Sequence, residues 1–537
     1  MQVIEEIMQQ TWDAIIVGTG IGGATIGYAL AKSGKKVLFL EKGRNYLVRP
    51  EDRITGKYAE EVAEKKSEDY NSILSRAGRW SDPIVEATKP NQYEFSPMIG
   101  AGSGGSSALY GMVMERFFPS DFEPSSYTDP KANMPVNGWP ITYDELRPYY
   151  IQAESLYGVK GMLDPLRENF LDPLASPPEL SEPSKQLYDF FRGKNLHPYA
   201  MPMACEYKPN CQECIGFICP NSCKNDSARV CLAPALEQYS AKIVDECEVL
   251  RIEASSSRVT SLWARHRNKA FQLETPLLIL GSGALSSPAL LLRSRSELWP
   301  DGLANDSGQV GKNLMRHYFD LYCIKTRIPP VEGMLLKQIA LNDAYYDDNG
   351  KTLGTLQAVG RLPNAAALIY ELSQELDRKG QRVFSKLVYI TRALLRQFAN
   401  YNLTQRLILT GIMEDVPYLE NKVALSDSDS IKINYQISAT EQLRIKRFRR
   451  KVKDMLNPLI FTFIPNAENN ERLAHVCGTC RFGEDPAVSI LNKYNQAHKL
   501  DNLFIIDSSF FPTSTGINPS LTLAANALRV ASHILEE

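Results

Sequence analysis

The chain has 537 residues, 44% of them hydrophobic, with 60 Lys and Arg set against 62 Asp and Glu. A single hydrophobic core stops growing at roughly 250 to 300 residues, so two domains are expected. The balanced charge excludes an overall field that would recruit nucleic acid or an anionic membrane, which makes a small neutral substrate the default partner.

The start, "MQVIEEIMQQTWDAIIVG", carries acids where a secretion signal carries bases. The longest apolar stretch, "PLLILGSGALSSPALLL", is broken by Gly281, Gly283 and several serines, unlike the roughly 20 consecutive apolar residues of a membrane span. A cytoplasmic location without a span is expected. Ten cysteines are too sparse for a disulfide scaffold, and in a reducing compartment they are expected to be thiols or ligands.

Near the amino end, "DAIIVGTGIGGATIGYALAKSGKKVLFLEKG" predicts a buried strand at Ala14 to Val17, a glycine turn, a helix to about Lys32 and a second strand ending at Glu41. Gly18 permits the tight turn. Gly20 lets backbone approach a pyrophosphate at the positive helix end, and Gly23 allows the helix to pack close to the strand. Glu41, 21 residues beyond Gly20, is placed to accept both hydroxyls of a ribose. The motif implies a dinucleotide and does not separate NAD from FAD.

Further along, "CQECIGFICPNSCKNDS" brings together Cys211, Cys214, Cys219 and Cys223, with Cys205 and Cys231 nearby. The spacing could ligate zinc or an iron–sulfur cluster but matches no standard ferredoxin run, and a group of thiols without metal is the expected reading. "FSKLVYITRALLRQFANY" (Phe384 to Tyr401) is amphipathic through Leu387, Ile390, Leu394, Leu395 and Phe398, as part of a substrate domain or a lid is, in preference to a membrane-lying helix. "LRIKRFRRKVKDML" (Leu443 to Leu456) holds seven bases between Arg444 and Lys453, with Leu443, Phe448, Val452 and Met455 at helical spacing, and reads as a helix with a solvated basic face. Then "AHVCGTCRFG" sets His475, Cys477 and Cys480 within six residues. Alone it is open to three readings: a metal site, a redox dithiol or a catalytic base.

Four stretches close the choice through resemblance. "GAGSGGSSALYGMVMERF" (Gly100 to Phe117), "NGWPITYDELRPYYIQAESLYGV" (Asn137 to Val159), "VGKNLMRH" (Val310 to His317) and "NLFIIDSSFFPTSTGINPSLTLAANALRVA" (Asn502 to Ala531) resemble the glucose-methanol-choline (GMC) family of FAD-dependent oxidoreductases, in the family's order. The resemblance implies an α/β fold in which a discontinuous Rossmann-like FAD-binding domain (10–58, 90–125, 205–320 and 475–537) adjoins a substrate-binding domain of antiparallel sheet plus helices (126–204 and 321–474). It implies that Gly104, Gly105 and Ser106 approach phosphate or the flavin edge, and that the backbone of Val249 holds adenine. Asp507 then lies beside the pyrophosphate and ribityl chain, and Asn518 and Pro519 open a helix next to the flavin ring. Leu109 and Tyr110 stand where some relatives carry a flavin-linking histidine, so FAD is expected to be non-covalent.

The family pattern H-x-x-G-T-C falls on His475, with a second polar position before proline at Asn518, 43 residues on. By resemblance His475 is the base that takes the hydroxyl proton as hydride leaves for the flavin, and Asn518 holds the substrate oxygen. His317 is the alternative base. Cys480 reads as a small packed thiol at a family position. Cys477 is a departure that brings in a less favoured Cys477–Cys480 disulfide, and no metal is expected. The segment "LYGMVMERFFPSDFEP" is similar to members oxidising sugar-like alcohols, including a branch acting on aminoglycoside precursors. Glu414 and Asp415 either hold the ammonium of an amino sugar or face solvent from a sheet edge. The expected activity is oxidation of an alcohol CH–OH, with oxygen, a quinone-like compound or a protein as electron acceptor. A redox-neutral flavin lyase and an electron-transfer subunit with a cysteine-ligated cluster are the alternatives.

Overall fold

A computed structural model describes residues 2–64, 68–124, 127, 129–167, 172–403 and 405–536. The strand Ala14–Val17 is buried at all four positions, as an unbroken apolar run requires when both sheet faces are covered. It is the centre of a five-stranded sheet ordered Leu503–Ile505, Leu278–Leu280, Ala14–Val17, Val37–Leu40, Lys242–Val244, with every pair parallel. The strands come from the beginning, middle and end of the chain, so the nucleotide-type unit is discontinuous. The helix Ile21–Lys32 follows the first glycine turn, and the carboxyl-terminal helix Ser520–Glu536 packs against it.

A second, antiparallel sheet has six strands in the order Phe461–Ile464, Tyr318–Ile324, Leu407–Met413, Gly354–Ala358, Ile339–Leu341, Tyr199–Ala200. Alternation along its strands sends Tyr322, Leu356, Ala358 and Leu409 into one core, which the helix Ala439–Leu456 closes with Phe448, Val452 and Met455. The opposite face places Tyr199 and Ala340 against Met112 and Val113, just beyond the segment expected at the flavin. The fold class is thus α/β, a parallel Rossmann-like sheet beside an antiparallel cover sheet.

The expected domain limits meet the strands unevenly. The strand Tyr318–Ile324 runs across position 320/321, so a boundary there would cut a strand. The limit at 125/126 lies outside the described residues. A four-stranded sheet joins Tyr93–Phe95 and Ile84–Glu86 to Ile431–Asn434 and Lys422–Leu425, pairing an amino-terminal segment with the substrate-side segment.

Two surface expectations need correction. The basic helix is rotated so that Glu441, Arg444, Phe448, Val452 and Met455 face inward, while Leu443, one position off that stripe, is 55% exposed. Arg444 is therefore buried: Nη1 donates to both oxygens of Glu441 at 2.9 and 2.8 Å, and Nη2 to Glu414 Oε2 at 2.8 Å. Glu414 and Asp415 fit neither expectation, since both are buried and engaged. Asp415 accepts from Tyr318 Oη (2.7 Å), Tyr435 Oη (2.6 Å), and the backbone N–H of Arg316 (2.9 Å) and Val416 (2.8 Å). A carboxylate withdrawn from water needs such donors, and these come from within the protein. Replacing Arg444 by Met leaves Glu414 and Glu441 buried without their cation. Urea unfolding of the Arg444→Met variant is expected to show a loss of about 3–5 kcal/mol.

Candidate active site

The first glycine turn is shaped for close backbone approach. Gly18 has φ 95°, and a Cβ there would lie 2.6 Å from Gly281 O. A Cβ on Gly20 would meet only Gly281 O, in ordinary contact at 3.8 Å, and Gly23 packs onto Gly18. A second turn, Gly105–Ala108 entered through Gly104 at φ 88°, sits directly on the first: a Cβ on Gly105 would be 3.0 Å from Gly20 Cα. Ser227, to which no sequence pattern pointed, rivets the two. Its Oγ donates to Thr19 O (3.0 Å), and its N–H donates to Ser107 Oγ (3.0 Å). Ser106 is exposed, and its Oγ accepts from Gly100 N (3.1 Å). Two glycine turns meeting at a helix N-terminus form a cradle that fits a pyrophosphate.

Glu41 follows its strand as expected and is buried, with four protein donors: Thr19 N (3.0 Å) and Oγ1 (2.7 Å) on Oε2, and Gly43 N (2.9 Å) and Gly102 N (3.1 Å) on Oε1. These fill the carboxylate's roughly four lone-pair positions, so ribose hydroxyls bind it only by displacing a donor. Thr19 Oγ1 is the donor with an alternative acceptor, Gly102 O at 3.3 Å. Val249 lies in the strand Cys247–Ala254, whose first N–H donates to Glu41 O at 2.9 Å, and its ladder shifts register between Val249 and Arg251. Asp507 takes N–H of Gly283 (2.9 Å), Ser287 Oγ (2.5 Å) and N–H of Ser509 (2.9 Å), tying the turn after Leu278–Leu280 to the end of the last strand, and burial raises its pKa.

The expected base and its alternative meet. His317 Nδ1 lies 2.8 Å from His475 Nδ1, and the rings stand at 87°. The other nitrogen of His317, Nε2, is 3.1 Å from Ser514 O and 3.0 Å from Thr515 O. Carbonyls only accept, so Nε2 of His317 carries a hydrogen; in the neutral ring Nδ1 is then an acceptor, and His475 Nδ1 must donate to it. His475 is left with a lone pair on Nε2. Burial lowers the pKa of His317 to about 4. It lowers that of His475 well below 6.5, with His317 and the Lys337 ammonium adding to the effect. Both rings are thus neutral near pH 7.

His475 holds its ring with φ 54°, in the left-handed region that histidine enters more readily than most residues. Three residues beyond the Thr515 carbonyl comes Asn518, buried, with Oδ1 lacking a hydrogen-bond partner. Pro519 O accepts from Leu523 N (3.0 Å), opening the helix Ser520–Glu536. Two cover-side residues escaped sequence reasoning, being single polar residues in unpatterned segments. Lys337 is buried, donates from Nζ to Gly111 O and is pushed down to about 7 by burial. Gln357, opposite Ala340 and Thr410 in the cover sheet, has a buried Oε1 without a partner.

All ten cysteines are buried free thiols, Cys477 and Cys480 included. Cys205, Cys211, Cys214, Cys219 and Cys223 pack with Met112, Met201 and Met203, with Cys205 Sγ 3.7 Å from Cys211 Sγ. Among the described residues no group of three or more His, Cys, Asp or Glu is arranged to hold a metal ion. Leu109 is buried, and Tyr110 turns its hydroxyl away to Asn225 O at 2.6 Å.

Known proteins share this architecture. The chain is 27% identical to 6'''-hydroxyparomomycin C oxidase of Streptomyces lividus, over 98% of this chain and 92% of that protein. It is 25% identical to paromamine 6'-oxidase of Streptomyces fradiae, over 98% and 91% respectively. Pyridoxine 4-oxidase from Mesorbium loti has the same fold, with a TM-score of 0.65 over 98% of this chain and 100% of that one at 18% identity. The pattern of the GMC oxidoreductases matches residues 12–319 and 417–527. With more than half of its length so matched, the chain belongs to the GMC oxidoreductase family, FAD-dependent enzymes acting on CH–OH groups.

Proposed function

We propose that the enzyme oxidises a sugar-like polar alcohol, with His475 as base and Asn518 holding the substrate oxygen. The observation that carries this is the His317–His475 contact, which leaves Nε2 of His475 as a neutral lone pair. FAD, when bound, accepts the hydride that leaves the carbinol carbon. His475 Nε2 takes the hydroxyl proton, so an alcohol becomes a carbonyl with both hydrogens assigned. The Asn518 amide fixes the oxygen without competing for the proton. Gly18, Gly20, Gly23, Gly104, Gly105 and Ser106 cradle the pyrophosphate and flavin edge, Glu41 the ribose and Val249 the adenine. Asp507 and Pro519 position the ribityl chain and ring. FAD is held without a covalent bond, since Leu109 and Tyr110 offer no linking imidazole.

Two buried acceptors without donors, Asn518 Oδ1 and Gln357 Oε1, favour a substrate rich in hydroxyls. An apolar alcohol would leave them unpaired at about 1–3 kcal/mol each. The names of the two oxidases similar to this chain point to amino-sugar alcohols. Recognition of an amino group does not use Glu414 or Asp415, which are committed to Arg444, Tyr318 and Tyr435.

Three measurements check this reading. In anaerobic stopped flow, His475→Ala is expected to keep its FAD while flavin bleaching slows by roughly 100-fold or more; an unchanged rate would move the base elsewhere. The base works when neutral and its pKa is depressed, so the bleaching rate at saturating substrate is expected to stay level from pH 8 through the ordinary imidazole value of about 6.5 and to fall only below it. An acid limb above that value contradicts a buried base. Among sugars, amino sugars, aliphatic and benzylic alcohols, the first two classes are expected to bleach the flavin fastest. Fast reaction with a fatty or benzylic alcohol and none with any sugar would refute the substrate class.

A further inference from the structure

Between the adjacent cover strands Gly354–Ala358 and Leu407–Met413 the chain leaves the sheet as a helical hairpin, Ala365–Arg378 and Arg382–Leu403. The second helix is inverted relative to an ordinary surface helix. At 100° per residue, Val383, Leu387, Ile390 and Leu394 fall in one narrow sector, and they are 80%, 55%, 77% and 70% exposed. Phe384, about 60° beyond that sector, is 60% exposed. Ser385, on the opposite side, is the one buried side chain among those described in this helix. The apolar stripe thus points away from the protein. A contiguous outward apolar stripe of this kind marks an interaction surface.

The charge of the helix narrows the partner. Arg382, Lys386, Arg392 and Arg396 lie in it, and it contains no Asp or Glu. Arg396 pairs with Glu64. Arg382, Lys386 and Arg392 have no acidic partner among the described residues. Two copies meeting stripe to stripe would bring Arg382 and Lys386 of each together, as a two-fold contact sets a patch against itself. An anionic lipid surface satisfies both features, taking the apolar stripe into the acyl boundary and Arg382 and Lys386, which flank the stripe on one side, among the headgroups. No helix among the described residues is long and apolar enough to cross a membrane, so this one lies in the plane.

We propose that the Arg382–Leu403 helix seats the enzyme on an anionic bilayer surface, flat in the headgroup layer, with Val383, Leu387, Ile390 and Leu394 inserted. The partner is a lipid bilayer rather than a protein, and the contact stands independently of the substrate and of the catalytic roles.

The test is co-sedimentation of the full-length, FAD-loaded enzyme with vesicles of phosphatidylcholine plus phosphatidylglycerol, or of phosphatidylcholine alone. The expected result is pelleting with the anionic vesicles that weakens as salt rises. The triple variant Leu387→Glu, Ile390→Glu, Leu394→Glu changes only exposed side chains and is expected to bind at least about 10-fold more weakly, with flavin content and circular dichroism unaltered. The variant Arg382→Gln, Lys386→Gln, Arg392→Gln is expected to lose the preference for anionic lipid while keeping the stripe. No pelleting of the wild type, or equal pelleting of the wild type and the glutamate variant, overturns the proposal. So does a wild-type dimer in size-exclusion chromatography that the glutamate variant splits, without vesicle binding, because the stripe would then join two copies.

Discussion

One imidazole holds the catalytic end of the molecule together. His317 spends both nitrogens on protein, one on His475 and one on the carbonyls of Ser514 and Thr515, so the loops that carry His475 and Asn518 are fixed to the first long cover strand. Backbone ladders reinforce this. Met315 and Cys477 exchange two hydrogen bonds at 3.0 Å, His317 N donates to Ala474 O at 2.9 Å, and Cys480 N donates to Ser509 O at 2.8 Å. His475 and Thr515, both held by that ring, have φ of 54° and 55°, and for the β-branched threonine this is an unusual conformation. Backbone in a sparsely populated region persists only where surroundings over-determine it, and a ring bonded on both sides does so.

Burial without full charge compensation governs the electrostatics. The two histidines are driven neutral, and Lys337, also buried, loses its firm hold on a proton. The carboxylates Glu414 and Asp415 are handled differently, with Arg444 donating to the first and two tyrosines and two backbone N–H groups to the second. Burial still lifts Glu414 to about 8 against the opposing charge of the Arg444 guanidinium, and Asp415 to about 7. The imidazoles lose their charge chiefly to burial, whereas Glu414 keeps a cation beside it and Asp415 keeps neutral donors.

What could be read from the sequence was local or motif-borne. The first strand, glycine turn, helix and Glu41 lie within about thirty residues, and their periodicity and turn chemistry fixed them. His475 and Asn518 were reachable through a family pattern. Their mutual placement, through His317, was not, because a hydrogen bond between residues 158 apart leaves no trace in spacing. The same holds for Ser227, Lys337 and Gln357, single polar residues whose meaning comes from what folds against them. Periodicity also has a blind side. It located apolar stripes at 384–401 and 443–456, yet it could not say that the first faces outward, or that the second is rotated enough to bury Arg444 and expose Leu443. An apolar stripe specifies a partner surface without specifying whose it is.

The hairpin's point of attachment has a consequence of its own. Ala358 and Leu409 are paired neighbours, and Val359 N donates to Ile408 O at 3.0 Å, so the chain departs and returns across one rung of the ladder. An excursion closed in this way is topologically a β-turn that has been elongated, and its closure entropy grows only slowly with its length. The register of the two strands is therefore set by the ladder and not by the length of the excursion. The first helix is tied to the segment that leads to His475, through Arg378 with Glu471 and Glu371 with Arg472, so the graft site is the second helix, where a tether or a reporter could be exchanged with those pairs left intact.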